Sequence, residues 1–290
     1  MKSIILLTLS SLYIYAADAF ISPQDLHDKM KNDNLVILDV TTKEAYENEH
    51  IPGAVRADVG QFRKKVLMHQ EIRSEAEIQN IARSYGINND SEVVLYGHGK
   101  AKELMKSTYI ALSLLAHGVK NVSILNGGFT AWSGEYIDSS DETPQVKDGN
   151  FVAKSDAKTL VNMDYVKEKL GKVKMLDSRG YGNYFGTVIS GGVERLGHIP
   201  HATNSYWQDK FNKDDTVKDD EFLEEMIIEG LGLNDLNQEV VLYCTGGLEG
   251  SANWYIFSQH LGFKNAKLYD GSMRDWGNNN DTPLTKYKWE

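Results

Sequence analysis

Short apolar runs alternate with longer stretches of helical spacing along this chain. Val36-Ile37-Leu38-Asp39-Val40, Glu92-Val93-Val94-Leu95-Tyr96, Val173-Lys174-Met175-Leu176-Asp177-Ser178 and Glu239-Val240-Val241-Leu242-Tyr243 read as buried strands. Ser22 predicts a helix N-cap, with Pro23 at the first helical position. Leu104 to His117 carries apolar residues at helical spacing and stops at Gly118, and Ser251 to His260 reads as a helix that stops at Gly262. Strands alternating with helices predict an α/β protein whose parallel sheet is covered by helices.

The pattern occurs twice. Val36 to Val40 is matched by Val173 to Ser178, and His50-Ile51-Pro52-Gly53-Ala54 by His198-Ile199-Pro200-His201-Ala202. Glu92 to Tyr96 returns as Glu239 to Tyr243, and Gly118-Val119-Lys120-Asn121 answers to Gly262-Phe263-Lys264-Asn265. Asn126-Gly127-Gly128, closing at Trp132, corresponds to Asp270-Gly271-Ser272, closing at Trp276. Matches in one order over so long a period indicate a duplicated domain rather than a solenoid. The copies are expected over 20–140 and 150–290. The Ser-, Asp- and Gly-bearing stretch 137–150, with Pro144, reads as a linker wrapped on the surface.

The one cysteine among the 290 residues, Cys244, falls where the last of these strands should end. Thr245-Gly246-Gly247-Leu248-Glu249-Gly250 follows it as a tight turn before a helix. Ligands of parallel sheets sit outside the carboxyl ends of the strands. A thiol there faces backbone N–H groups and the positive end of a helix, which favours the nucleophilic thiolate. In a different setting a lone cysteine is simply a small buried hydrophobe.

Composition adds limits. With 41% hydrophobic and 25% charged residues the chain is globular, and its length leaves room for two cores. A net charge of −10 argues against nucleic acid or an anionic membrane surface as the main partner. Met1-Lys2-Ser3, the apolar run Ile4 to Ala16 and Ala17-Asp18-Ala19 have the form of a signal peptide over residues 1–19. They predict cleavage after Ala19, a mature chain from Phe20, and a periplasmic or secreted protein with no integral membrane span. An exported cysteine with no partner in its own chain is a working thiol rather than a structural disulfide.

Taken together, Leu176-Asp177-Ser178-Arg179, Gly197-His198-Ile199-Pro200, the loop from Cys244 and Tyr269-Asp270-Gly271-Ser272 resemble a tandem-domain rhodanese of the exported bacterial type. The resemblance covers nearly all of the mature chain. It implies two tandem rhodanese-like domains, each a parallel β-sheet flanked by helices on both faces. It also implies sulfur transfer in two steps, in which Cys244 takes the outer sulfur of a donor and passes it from a persulfide to a thiol, cyanide or protein acceptor. The loop amides from Thr245 to Gly250 are then expected to hold the anionic sulfur. The first copy has Gly97 at the cysteine position, in Tyr96-Gly97-His98-Gly99-Lys100, so it is expected to be inactive. No cofactor or metal is implied: the eight histidines show no ligand spacing, and His198 reads as part of a structural turn.

Departures from the family bear on the donor. Thr245 stands where many thiosulfate-using members have a basic residue, and Asn183, in Gly182-Asn183-Tyr184-Phe185-Gly186, stands where an arginine is common. Glu249 puts a negative charge into the loop, opposing both the thiolate and a dianionic donor. Arg179 and Arg195 are the candidate compensating cations, although Arg179 in an internal ion pair is an equal reading. These departures count against thiosulfate and mercaptopyruvate as donors and make polysulfide, glutathione persulfide or a protein persulfide candidates beside thiosulfate. A phosphatase of the Cys-x5-Arg type is disfavoured, because Gly250 occupies the arginine position. A sulfane-sulfur carrier that loads once and waits for a partner is the alternative function.

Overall fold

The computed structural model describes residues 19–136 and 138–290. The expected signal segment, apart from Ala19, lies outside the described residues. The first copy contributes strands β1 (Phe20–Ile21), β2 (Leu35–Asp39), β3 (Val55–Arg56), β4 (Arg63–Val66), β5 (His69–Ile72), β6 (Glu92–Tyr96) and β7 (Asn121–Leu125). The second contributes β8 (Leu160–Val161), β9 (Lys174–Asp177), β10 (Ala202–Asn204), β11 (Glu239–Tyr243) and β12 (Asn265–Tyr269). Two five-stranded sheets result, ordered β1-β7-β6-β2-β3 and β8-β12-β11-β9-β10, and every pairing within them is parallel. The order is the same in both copies. Strands β4 and β5 form a separate antiparallel hairpin.

Burial on both faces explains why the central strands read as near-continuous apolar runs. One apolar cluster covers the outer face of each sheet, around Trp132 in the first copy and Trp276 in the second. A third joins the two inner faces into one core, running from Leu38 and Leu95 through Tyr109 to Leu242 and Tyr255. The helices Ala101–Leu115 and Leu248–Tyr255 meet in that core, where the Thr108 and Ser251 hydroxyls lie 3.0 Å apart.

Local signals act as the sequence suggests. The Ser22 side chain accepts the Asp25 N–H ahead of the helix Pro23–Lys29. The helix stopped by Gly118 begins three residues before Leu104, at Ala101. The helix after Cys244 begins at Leu248 rather than Ser251, with Gly250 inside it, and continues as a π turn from Ile256 to His260. The segment 138–157 is extended and pinned to the first copy: Gly149 N–H donates to Arg83 O, Phe151 N–H to Ile87 O, and Phe151 itself is buried.

The His-Ile-Pro turn is built identically twice. His50 Nδ1 bonds Tyr46 O and His198 Nδ1 bonds Tyr184 O, both at 2.7 Å, with ring centroids 3.9 and 3.8 Å apart. Ile51 N–H donates to Tyr96 OH at 3.0 Å, and Ile199 N–H to Tyr243 OH at 3.2 Å. His198 is therefore a structural residue, as its setting in the turn suggests. Each tyrosine hydroxyl ties the turn to the strand that carries the critical loop. Tyr243→Phe leaves the buried Ile199 N–H without its acceptor, so a loss of about 1–3 kcal/mol is expected. Urea unfolding checks this. A midpoint equal to that of the native protein would show that the hydroxyl does not anchor the turn.

Candidate active site

Cys244 directly follows β11, and its backbone is clamped from the far end of the domain. Its N–H donates to Ser272 Oγ at 3.0 Å, and its carbonyl accepts Met273 N–H at 3.0 Å. The sulfur accepts the Gly247 N–H at 3.2 Å, and Ser272 Oγ lies 4.0 Å away while donating to Tyr269 O. Gly247 has φ +91, and a Cβ there would come within 2.0 Å of Asp270 Oδ1, so glycine alone fits. Gly250 has no room either: a Cβ would meet Leu268 Cδ1 at 2.7 Å.

The other residues marked out by the sequence take different places. Gly246 is buried in the loop, and Leu248 packs against the shared core. Thr245 donates through Oγ1 to Ser190 Oγ at 3.1 Å, and Asn183 Nδ2 reaches the same Ser190 Oγ at 3.1 Å and Val188 O at 3.2 Å. Asn183 thus orders the 187–190 loop beside the thiol loop. Glu249, half-buried, folds back and accepts the Thr245 N–H at 3.4 Å.

Of the two candidate cations, Arg179 takes the internal ion pair of its two readings, and Arg195 is corrected by the structure. Arg179 is 2% exposed, donates to both oxygens of buried Asp177, and gives Nη2 to Gly197 O at 2.8 Å. A buried aspartate demands such a partner, and the guanidinium is spent on it. Arg195 is out of the site altogether. It donates to the carbonyls of Trp276, Gly277, Asn279 and Thr282 and to Thr282 Oγ1, closing the C-terminal turn.

A family model described as "Rhodanese-like domain" matches residues 22–135 and again 162–279. The chain belongs to the rhodanese family. It is 31% identical to the thiosulfate sulfurtransferase of Corynebacterium glutamicum over 249 residues, covering 80% of this chain and 78% of that protein. It is 32% identical to the sulfur carrier protein TtuD of Thermus thermophilus over 254 residues, covering 83% and 87% respectively. Among solved structures, the anaerobic ergothioneine biosynthesis enzyme from Chlorobium limicola has a TM-score of 0.81 at 22% identity, over 92% of this chain and 70% of that one. That likeness is one of fold. Two such domains in tandem, with these relatives, make the chain a sulfurtransferase.

Within this rhodanese the first copy's loop is filled by its own side chain. A Cβ on Gly97 would lie 2.3 Å from Glu103 Cβ, and the Glu103 carboxylate accepts His98 N–H at 2.8 Å. The first copy does reach the other loop, through residues that sequence reasoning missed. Arg63, from β4, donates to Gly246 O at 2.5 Å and lies over the Tyr109 ring, 4.8 Å from its centroid. Tyr109 OH and Ile72 N–H both donate to Asp270, at 2.9 and 2.7 Å, directly behind Gly247. Asp270 is wholly buried there, and that burial pushes its carboxyl up to about 6. Arg274, the remaining cation at the loop, has one visible signal: it stands where the first copy has Thr130.

Opposing influences act on the Cys244 thiol. Burial, with Cys244 only 1% exposed, and then the negative charge of Glu249 push it up to about 12. The amides of Gly250, Gly246 and Gly247 pull the other way and lose. Burial thus opposes the thiolate that the loop amides favour, because fixed dipoles around a dry sulfur offset only part of the water it has given up. Burial also raises the Glu249 carboxyl, with Thr245 N–H opposing. Removing the Glu249 charge favours the thiolate, so Glu249→Gln should move the pH profile of Cys244 alkylation by iodoacetamide to lower pH. An unmoved profile would show that the carboxylate does not act on the sulfur.

Proposed function

We propose that this rhodanese moves sulfane sulfur from an anionic donor to a thiol or cyanide acceptor through a persulfide on Cys244. The observation that carries the reading is the Cys244 sulfur itself, held at the end of β11 against the Gly247 amide in a sulfurtransferase fold. The sulfur attacks the outer sulfur of the donor. A new S–S bond forms, the donor's own S–S bond breaks, and the remainder leaves with the electron pair. With thiosulfate the remainder is sulfite, and it takes up the thiol proton. The acceptor then attacks the outer sulfur and regenerates Cys244, which makes the kinetics ping-pong.

A protein acceptor fits the same scheme. The similarity to a protein named a sulfur carrier favours, as a second reading, a chain that loads once and holds its sulfur for a partner. Turnover with excess thiosulfate and cyanide separates the two.

Cys244→Ser is expected to abolish transfer, and Gly97→Cys should create no second persulfide because Glu103 fills that loop. Intact mass after thiosulfate treatment reads both. Sulfur retained by the Ser variant, or added to the introduced cysteine, would overturn the assignment.

We also infer that the protein is exported and cut after Ala19. Cleavage gives up the two hydrogen bonds that Ala19 O accepts, from Ile124 N–H and Tyr255 OH. The Phe20 ring keeps its edge contacts with Tyr255 and Phe211. Mature protein from the native cell should begin at Phe20, and a mass that still includes residues 1–19 would count against export by this route.

A further inference from the structure

The family's usual donor-binding cations have no free counterpart here. Thr245 and Asn183 are neutral, and Arg179 and Arg195 are spent on internal partners. Arg63 is taken up by Gly246 O and the Tyr109 ring, which leaves Arg274 as the guanidinium at the mouth of the thiol loop. Arg274 follows Ser272 and Met273, and its own N–H donates to Thr245 O at 2.9 Å, one residue beyond the clamp on Cys244. Its position is therefore fixed to the loop by backbone.

Its side chain runs between two glycines. A Cβ on Gly246 would meet Arg274 Cδ at 3.2 Å and Nη1 at 3.3 Å. A Cβ on Gly192, at φ +79, would meet Nε at 3.2 Å. Nε donates to Gly191 O at 3.1 Å, which aims the fork and leaves the Nη groups without a hydrogen-bond partner among the described residues. No carboxylate forms an ion pair with it there. The adjacent Asp275 is taken by Tyr269 OH at 2.7 Å and lies 3.6 Å from His69. Of the other acids on elements packed against the loop, Glu71 faces His69, Asp270 faces Tyr109 and Ile72, and Glu249 faces Thr245 N–H. A half-buried, unneutralised arginine held against the catalytic loop is an anion subsite.

We propose that Arg274 is the donor-binding cation of this protein, and that the donors it selects carry a tetrahedral oxyanion next to the sulfane sulfur: thiosulfate and organic thiosulfonates. The planar fork takes the sulfonate oxygens while the outer sulfur faces Cys244. The charge of the departing sulfite grows on those same oxygens, so the contact strengthens as the S–S bond breaks. This rests on the reading of Cys244 as the sulfur-accepting residue. It goes further in assigning the donor's oxyanion to a residue on an element the family's usual arginines do not come from.

The full chain tests this through two pairs of probes. Arg274→Ala should lower kcat/KM for thiosulfate by about tenfold or more, with Arg274→Lys in between, because lysine keeps the charge and loses the fork. Loading from glutathione persulfide, which has no sulfonate, should fall much less. Alkylation of Cys244 separates charge from shape: iodoacetate should slow in Arg274→Ala, while neutral iodoacetamide holds its rate. The proposal falls if kcat/KM for thiosulfate stays within about twofold of native, or if both alkylating agents slow equally, which makes Arg274 a prop for Gly246. Failure of the underlying assignment looks different, since Cys244→Ser would then still turn over. If Arg274→Ala does not fold, the Lys variant with a thiosulfate series in rising salt decides the same point. A native kcat/KM that ignores salt, and that the Lys variant reproduces, would also end it.

Discussion

The structure depends on one packing event, the meeting of the helices Ala101–Leu115 and Leu248–Tyr255 between the two sheets. Each helix issues from its own copy's loop, one after Gly97 and the other after Cys244. Once they lie together, with Thr108 against Ser251, each loop is brought beneath an excursion of the opposite copy. The β4–β5 hairpin delivers Arg63 to Gly246. The 211–217 segment of the second copy delivers Val217 N–H to Asn126 and sets Thr216 beside Gly127. The same interface therefore serves both loops, which differ in sequence from Gly97 and Cys244 onward. Glycine let Glu103 collapse inward, and cysteine kept a sulfur in that place.

That interface also sets the chemistry. A loop covered from both sides is dry, and dryness favours neutral sulfur over its anion. The fixed donors around Cys244 are better matched to a charge that develops during reaction than to one carried at rest, which is how preorganised dipoles accelerate a step. Glu249 makes the resting state still more neutral.

Much of this could be read from the sequence, for a physical reason. The strands, the Ser22 cap, the Gly118 stop and the paired His-Ile-Pro turns depend on neighbours within a few residues, so their signals are local. The helix after Cys244 begins three residues before the sequence suggests, because Gly246, Gly247 and Gly250 all look like turn residues, yet Gly250 is helical and lets Leu268 approach. The arginines were harder. Charge and spacing allow Arg179 an internal ion pair as readily as a substrate, and they do not say that carbonyls would claim Arg195. Which arginine stays free is decided by contacts across 80 residues or more, as between Arg195 and the C-terminal turn or Arg274 and Gly191. The role of the β4–β5 hairpin was equally silent, because its partner is in the other copy.

The carboxylate of Asp270 is buried against Gly247 and is satisfied by Tyr109 and Ile72, both from the first copy. Without the first copy, the second would present that carboxylate to water and lose the floor of its loop. Duplication usually leaves a spare that can drift or be deleted. Here the silent half supplies the hydrogen bonds that hold the working half in shape, so losing it has become irreversible. The first copy thereby acts as scaffold for the loop of the second.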